Sequence, residues 1–170
     1  MLSLDLVDKG VVTNQIVLTV GYDKESLADG HYTGEVVCDH YGRKIPKHAH
    51  GTQNLGRHTS STKKIIDATM ALFDRIIDKT LLARRLNLTA CNVIREEDIP
   101  DVESYEQISL FDMAEAANAD NNAEEKERAL QEAMLLIKHK YGKNAILKGT
   151  NYTEGATARE RNRSIGGHKA

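Results

Sequence analysis

The chain has 170 residues, 40% of them hydrophobic and only 5% aromatic, with no Trp, two cysteines and a formal net charge of -2. That length fits one ordinary domain plus an appendage, with an aliphatic core. Two cysteines exclude a disulfide scaffold, no apolar run reaches membrane-spanning length, and the start lacks a signal peptide's basic region and continuous apolar run, so a reduced cytoplasmic protein is expected.

In chain order, Leu2, Leu4, Leu6 and Val7 read as the end of a helix that Gly10 stops. Residues 13–23 alternate, with Ile16, Leu18 and Val20 on one face, and predict a strand. Residues 34–51 read as a strand, a turn at Tyr41-Gly42 and a return past Pro46. The polar stretch 51–61 fits an exposed edge strand. Residues 61–80 form the clearest helix, with Ile65, Ile66, Thr69, Met70, Leu72, Phe73, Ile76 and Ile77 as one apolar stripe and Ser60 or Ser61 as the cap. Asp67, Asp74 and Asp78 fall on its solvent side. Residues 83–94 alternate again, with Leu86, Leu88 and Ala90 to one side and Arg85, Asn87 and Thr89 to the other. An acidic linker and a second helix over about 124–141 follow, then a basic, Gly/Thr-rich tail. The order predicts an α+β fold: a mostly antiparallel sheet with helices on one face and a polar, open opposite face.

The modest net charge hides strong asymmetry. Residues 96–127 carry twelve acidic side chains and one Lys, whereas 138–170 carry eight Lys/Arg and two Glu. Residues 40–66 carry six Lys/Arg and four His without a single acid. There, Arg43, Lys44, Lys47 and Arg57 are interleaved with Thr52, Asn54, Thr59 and Ser60. Long cations beside short hydroxyls and amides are the mixture that contacts phosphate, so these residues, with Arg85 and Asn87 from the following strand, are the candidate nucleic-acid contacts. Scarce aromatics argue against base stacking as the main device. Cys38, His40, His48 and His50 lie within thirteen residues and could meet across a hairpin, but their spacing is not that of a zinc finger and one thiolate is thin for a structural site. The favoured reading is a basic hairpin on phosphate without metal, with a zinc-binding interaction module as an alternative. No Gly-rich phosphate loop, spaced carboxylate pair or other catalytic constellation appears.

Within the acidic linker stands "QISLF": Gln107, Ile108, Ser109, Leu110 and Phe111. It resembles the pentapeptide with which bacterial proteins dock on the DNA-polymerase sliding clamp. Leu110 and Phe111 would fill an apolar pocket, each worth roughly 1.5–3 kcal/mol when buried, with Gln107 at its rim. The order of "LDLVDKGVVTNQIVLTVGYD", "HYGRKIPKHAHGTQNLGRHTSSTKKI" and "YGKNAILKGTNYTEGATARERNRSIGGHKA" resembles the C-terminal region of Y-family translesion DNA polymerases of the UmuC/DinB (ImpB/MucB/SamB) group over nearly the whole chain.

That resemblance implies a little-finger domain over 1–98, four strands with two helices behind them, whose open face lies against template-primer duplex. It implies a linker over 99–123 carrying the clamp motif, and a C-terminal helix and basic tail over 124–170. The catalytic palm and its magnesium ions would lie outside these residues, so no cofactor is expected here and the chain is not an enzyme alone. Expected partners are duplex DNA, the sliding clamp and SOS regulatory proteins, in a bacterial cytoplasm. The alternative is a stand-alone clamp-associated DNA-binding protein.

Overall fold

In a computed structural model of the chain, residues 2–28, 30–99, 113–165 and 168–169 are described, with the backbone alone at 113–121, 164–165 and 168–169. The chain divides into two compact units, residues 1–106 and 107–170.

In the first unit, helix α1 (Leu2–Asp8) buries Leu4, Leu6 and Val7. It ends because Gly10 adopts a left-handed φ of 62°, which lets its N–H reach the Val7 carbonyl at 3.0 Å. Strand β1 (Val11–Tyr22) alternates as its sequence predicts, with Ile16, Leu18, Val20 and Tyr22 buried. A 3-10 turn at Lys24–Leu27 leads to a small hairpin of β2 (Val36–Cys38) and β3 (Lys44–Pro46). The Asp39 carboxylate builds its turn, accepting from the backbone N–H of Tyr41 and of Arg43, each at 2.9 Å. Strand β4 (Ala49–Thr59) follows, then helix α2 (Thr62–Ile76), then β5 (Ala83–Cys91) and β6 (Ile94–Arg95).

The sheet has four strands in the order β4-β1-β5, with β6 pairing the first residues of β1, and all its pairings are antiparallel. Both α1 and α2 pack on one face. Leu18, Val20, Tyr22 and Leu72 form one buried cluster, and Leu6, Ile16 and Ile65 a second beside it. The α+β fold read from sequence is the one observed, with β4 as an edge strand.

Two details differ from the sequence reading. Only Ile65 and Leu72 of the α2 stripe are buried, while Ile66 and Met70 are 46% and 53% exposed. A helix on a flat sheet buries one narrow line of side chains, and the predicted stripe was wider than that line. The helix also stops at Ile76 rather than continuing to 80: Ile77 is extended, and the Asp78 N–H donates to the Tyr22 hydroxyl at 2.9 Å. Asp78 therefore lies beyond the helix that Asp67 and Asp74 share. Ser61 is the cap, accepting from the Lys64 N–H at 3.2 Å.

In the second unit, α3 (Met113–Tyr141) begins eleven residues before the predicted start at 124. Gly142, at φ 91°, ends it, its N–H donating to the Lys138 carbonyl at 2.9 Å. The tail holds a 3-10 turn at Gly149–Tyr152, the short helix α4 (Ala158–Arg161) and a two-strand hairpin of β7 (Ser164–Ile165) and β8 (His168–Lys169).

Candidate nucleic-acid interface

Residues directly opposite one another in an antiparallel ladder share a face. Because Ile16, Leu18 and Val20 point to the helices, Gln15, Val17 and Thr19 point the other way. Register then assembles the open face in rows: Asn54, Gln15 and Cys91; Thr52, Val17 and Thr89; His50, Thr19 and Asn87; and finally Gly21 beside Arg85. The rows contain hydroxyls, amides, one imidazole and one guanidinium, and no carboxylate. Thr19 Oγ1 is 2.9 Å from His50 Nδ1, and Arg85 Nε donates to Asn87 Oδ1 at 3.1 Å. These bonds hold polar groups at set positions on a surface that offers both donors and acceptors.

Gly51, in contrast, faces the helices. An added Cβ there would lie 2.8 Å from Leu72 Cδ1 and 2.9 Å from Ile76 Cγ2. The close approach of α2 to β4 thus requires a residue without a side chain.

The sequence-predicted contacts divide by location. Thr52, Asn54, Arg85 and Asn87 come together on the open face. Arg43, Lys44 and Lys47 belong to the β2–β3 hairpin, and Arg57 is exposed near the bulge at Gly56, which has φ 79°. Thr59 and Ser60 are buried before α2, 6% and 8% exposed, and Thr59 Oγ1 accepts from the Ser61 N–H at 3.0 Å. Their hydroxyls are placed inside the fold, away from the open face. Gln15, Thr19, His50 and Thr89 join that face without having been singled out for it, although the alternation that sends Ile16, Leu18 and Val20 inward already implies Gln15 and Thr19. The motif Gln107, Ile108, Ser109, Leu110, Phe111 lies outside the described residues.

The acid-free run from 40 to 66 is neutralised in part from just outside it. Arg43 Nη2 pairs with Asp39 Oδ2 at 2.6 Å, and Lys47 Nζ with Glu35 Oε2 at 2.6 Å. The Arg43 side-chain hydrogen bond, then its backbone N–H, hold the Asp39 carboxyl below the usual carboxylate range. In turn the hydrogen bond to Asp39 raises Arg43, and that to Glu35 raises Lys47. Counting along the chain missed these pairs because the hairpin folds residues 35 and 39 back onto 47 and 43.

Cys38 is exposed, His40 packs edge-on against Tyr41, and His50 engages Thr19. Among the described residues no three His, Cys, Asp or Glu side chains are grouped to hold a metal ion. Nor is any helix among them long and apolar enough to cross a membrane.

No family model matches the chain. It is 31% identical over 160 residues to UvrX of Bacillus subtilis (strain 168), a protein named for UV-damage repair, covering 94% of this chain and 30% of that relative. It is 28% identical over 125 residues to DNA polymerase IV 2 of Halalkalibacterium halodurans, covering 74% of this chain and 26% of that protein. The chain therefore spans less than a third of the length of these relatives. No solved structure matches it. At this level the chain is related to DNA-repair and DNA-polymerase proteins.

Proposed function

We propose that the first unit is a little-finger-type domain that grips template-primer duplex for an error-prone translesion DNA polymerase, and that the linker tethers it to the sliding clamp. The observation that carries this reading is the open sheet face, polar and free of carboxylates, with both helices packed behind it. Hydroxyls and amides on a flat face suit contacts to sugar and phosphate, which carry no sequence information. Such a grip is indifferent to base identity and so compatible with damaged template. The two relatives, one named for UV-damage repair and one a DNA polymerase, support the same reading. In this reading nucleotidyl transfer and its magnesium belong to a catalytic region of the parent polymerase, and this chain supplies grip and tethering.

The test is duplex affinity of the full chain by fluorescence anisotropy. Replacing Arg85 and Asn87 together by Ala should weaken binding several-fold at low salt without changing the fold, and the loss should be equal for unrelated duplex sequences. Unchanged affinity in that variant would remove the open face from the reading. Tethering rests on the sequence of residues 107–111 alone. Leu110→Ala with Phe111→Ala should abolish binding to a bacterial sliding clamp while duplex affinity stays intact, since a tether acts through local concentration and not through the grip. A double variant that still binds the clamp would refute it.

A further inference from the structure

Two of the three cations of the β2–β3 hairpin, Arg43 and Lys47, are held in ion pairs, whereas four of the tail's cations are not. Among the described residues Lys143, Lys148, Arg159 and Arg163 have no ion pair with a carboxylate. The tail is also ordered by its own bonds. Asn144 Oδ1 accepts from Asn162 Nδ2 at 2.7 Å, and Asn144 Nδ2 donates to the Arg159 carbonyl at 3.3 Å. This tie draws together positions eighteen residues apart, so Lys143 and Arg163, the chain neighbours of the tied asparagines, are brought near Arg159. Tyr152 is 65% exposed, and the Arg159 guanidinium lies 5.1 Å from its ring centroid.

We infer that this tail unit is a binding site for single-stranded DNA. A strand needs two things from a protein: cations along its backbone and an exposed ring face for an unpaired base. The unpaired lysines and arginines supply the first. Tyr152 supplies the second, with Arg159 set against its ring so that a base can stack on the remaining exposed surface. A duplex keeps its bases stacked on each other and has no use for the ring, and an acidic protein surface would need only the charge. The inference concerns residues 143–163 and stands on observations separate from the open sheet face.

The full chain titrated into a labelled short oligothymidylate tests it, with the Tyr152 ring protons followed by NMR. Tyr152→Ala should weaken binding roughly tenfold, the size of one lost base–aromatic stack, and Tyr152→Phe should retain it. Lys148→Gln should reduce the slope of log affinity against log salt by about 0.7. The movement of the Tyr152 ring signals on adding oligothymidylate should persist in Arg85→Ala with Asn87→Ala. Equal binding by Tyr152→Ala and the parent chain would overturn the inference. So would displacement of the oligothymidylate by polyglutamate, or by duplex, at matched concentrations with no movement of the Tyr152 ring signals.

Discussion

Gly51 shows how a single position fixes the spacing of the layers. Replacing a strand glycine by alanine ordinarily stabilises by about 0.4–1 kcal/mol, because the unfolded chain loses freedom. Here the new methyl would come within 3.0 Å of both Leu72 and Ile76, and Leu72 is fully buried. Overpacking of a filled core costs about 1–3 kcal/mol and wins. Gly51→Ala should therefore lower the urea midpoint by a net destabilisation of about 1 kcal/mol, with the slope unchanged. A midpoint equal to or above the parent's would show that α2 can lift from β4 without cost. Nothing in "HAHGTQN" marks this glycine, since the demand comes from a helix eleven residues further on.

At the scale of elements, legibility followed local period. The alternation in β1 and the 3.6-residue pattern in α2 depend on neighbours in sequence, so both elements and the inward face of β1 could be read directly, while the stripe of α2 was read wider than the line it buries. Arg85 and Asn87 were legible as outward residues for the same reason. Thr59 and Ser60 were not, because their burial depends on how the chain turns from β4 into α2. The hairpin charges were obscured by the same limit: Glu35 and Asp39 precede the basic run and become its partners only on folding. This hairpin carries a pH prediction. Asp39 has its carboxyl depressed in the folded state, so its contribution to the turn is present above the ordinary aspartate value and is lost as pH falls through the folded value. The Asp39 carboxyl should titrate below the usual carboxylate range by NMR, with the Tyr41 and Arg43 amide signals moving together with it. Arg43→Gln should bring the midpoint up toward the ordinary value. A midpoint that starts at the ordinary value in the parent would mean that the ion pair does not persist in solution.

On the scale of the whole molecule, the two units differ in what builds them. In the first, both buried clusters are made of residues between Leu2 and Ala90, and the sheet closes with β6 at Arg95. Among the described residues, those two clusters thus draw their side chains from the first unit alone. In the second, a long helix and an asparagine-tied tail make up the unit, and the tail's order could not be read from composition because it depends on the pairing of Asn144 with Asn162. A domain with its own core unfolds as one cooperative step. A chain ending at Glu106 should therefore keep the dispersed amide spectrum of β1, β4 and β5 and unfold in urea in a single transition, with a midpoint close to that of the same signals in the full chain. It should also keep the duplex affinity that depends on Arg85 and Asn87, while losing the oligothymidylate binding that depends on Tyr152. Collapse of the amide dispersion in the shortened chain would show that the first unit is completed by the second, and the separation of grip from tail would fail with it.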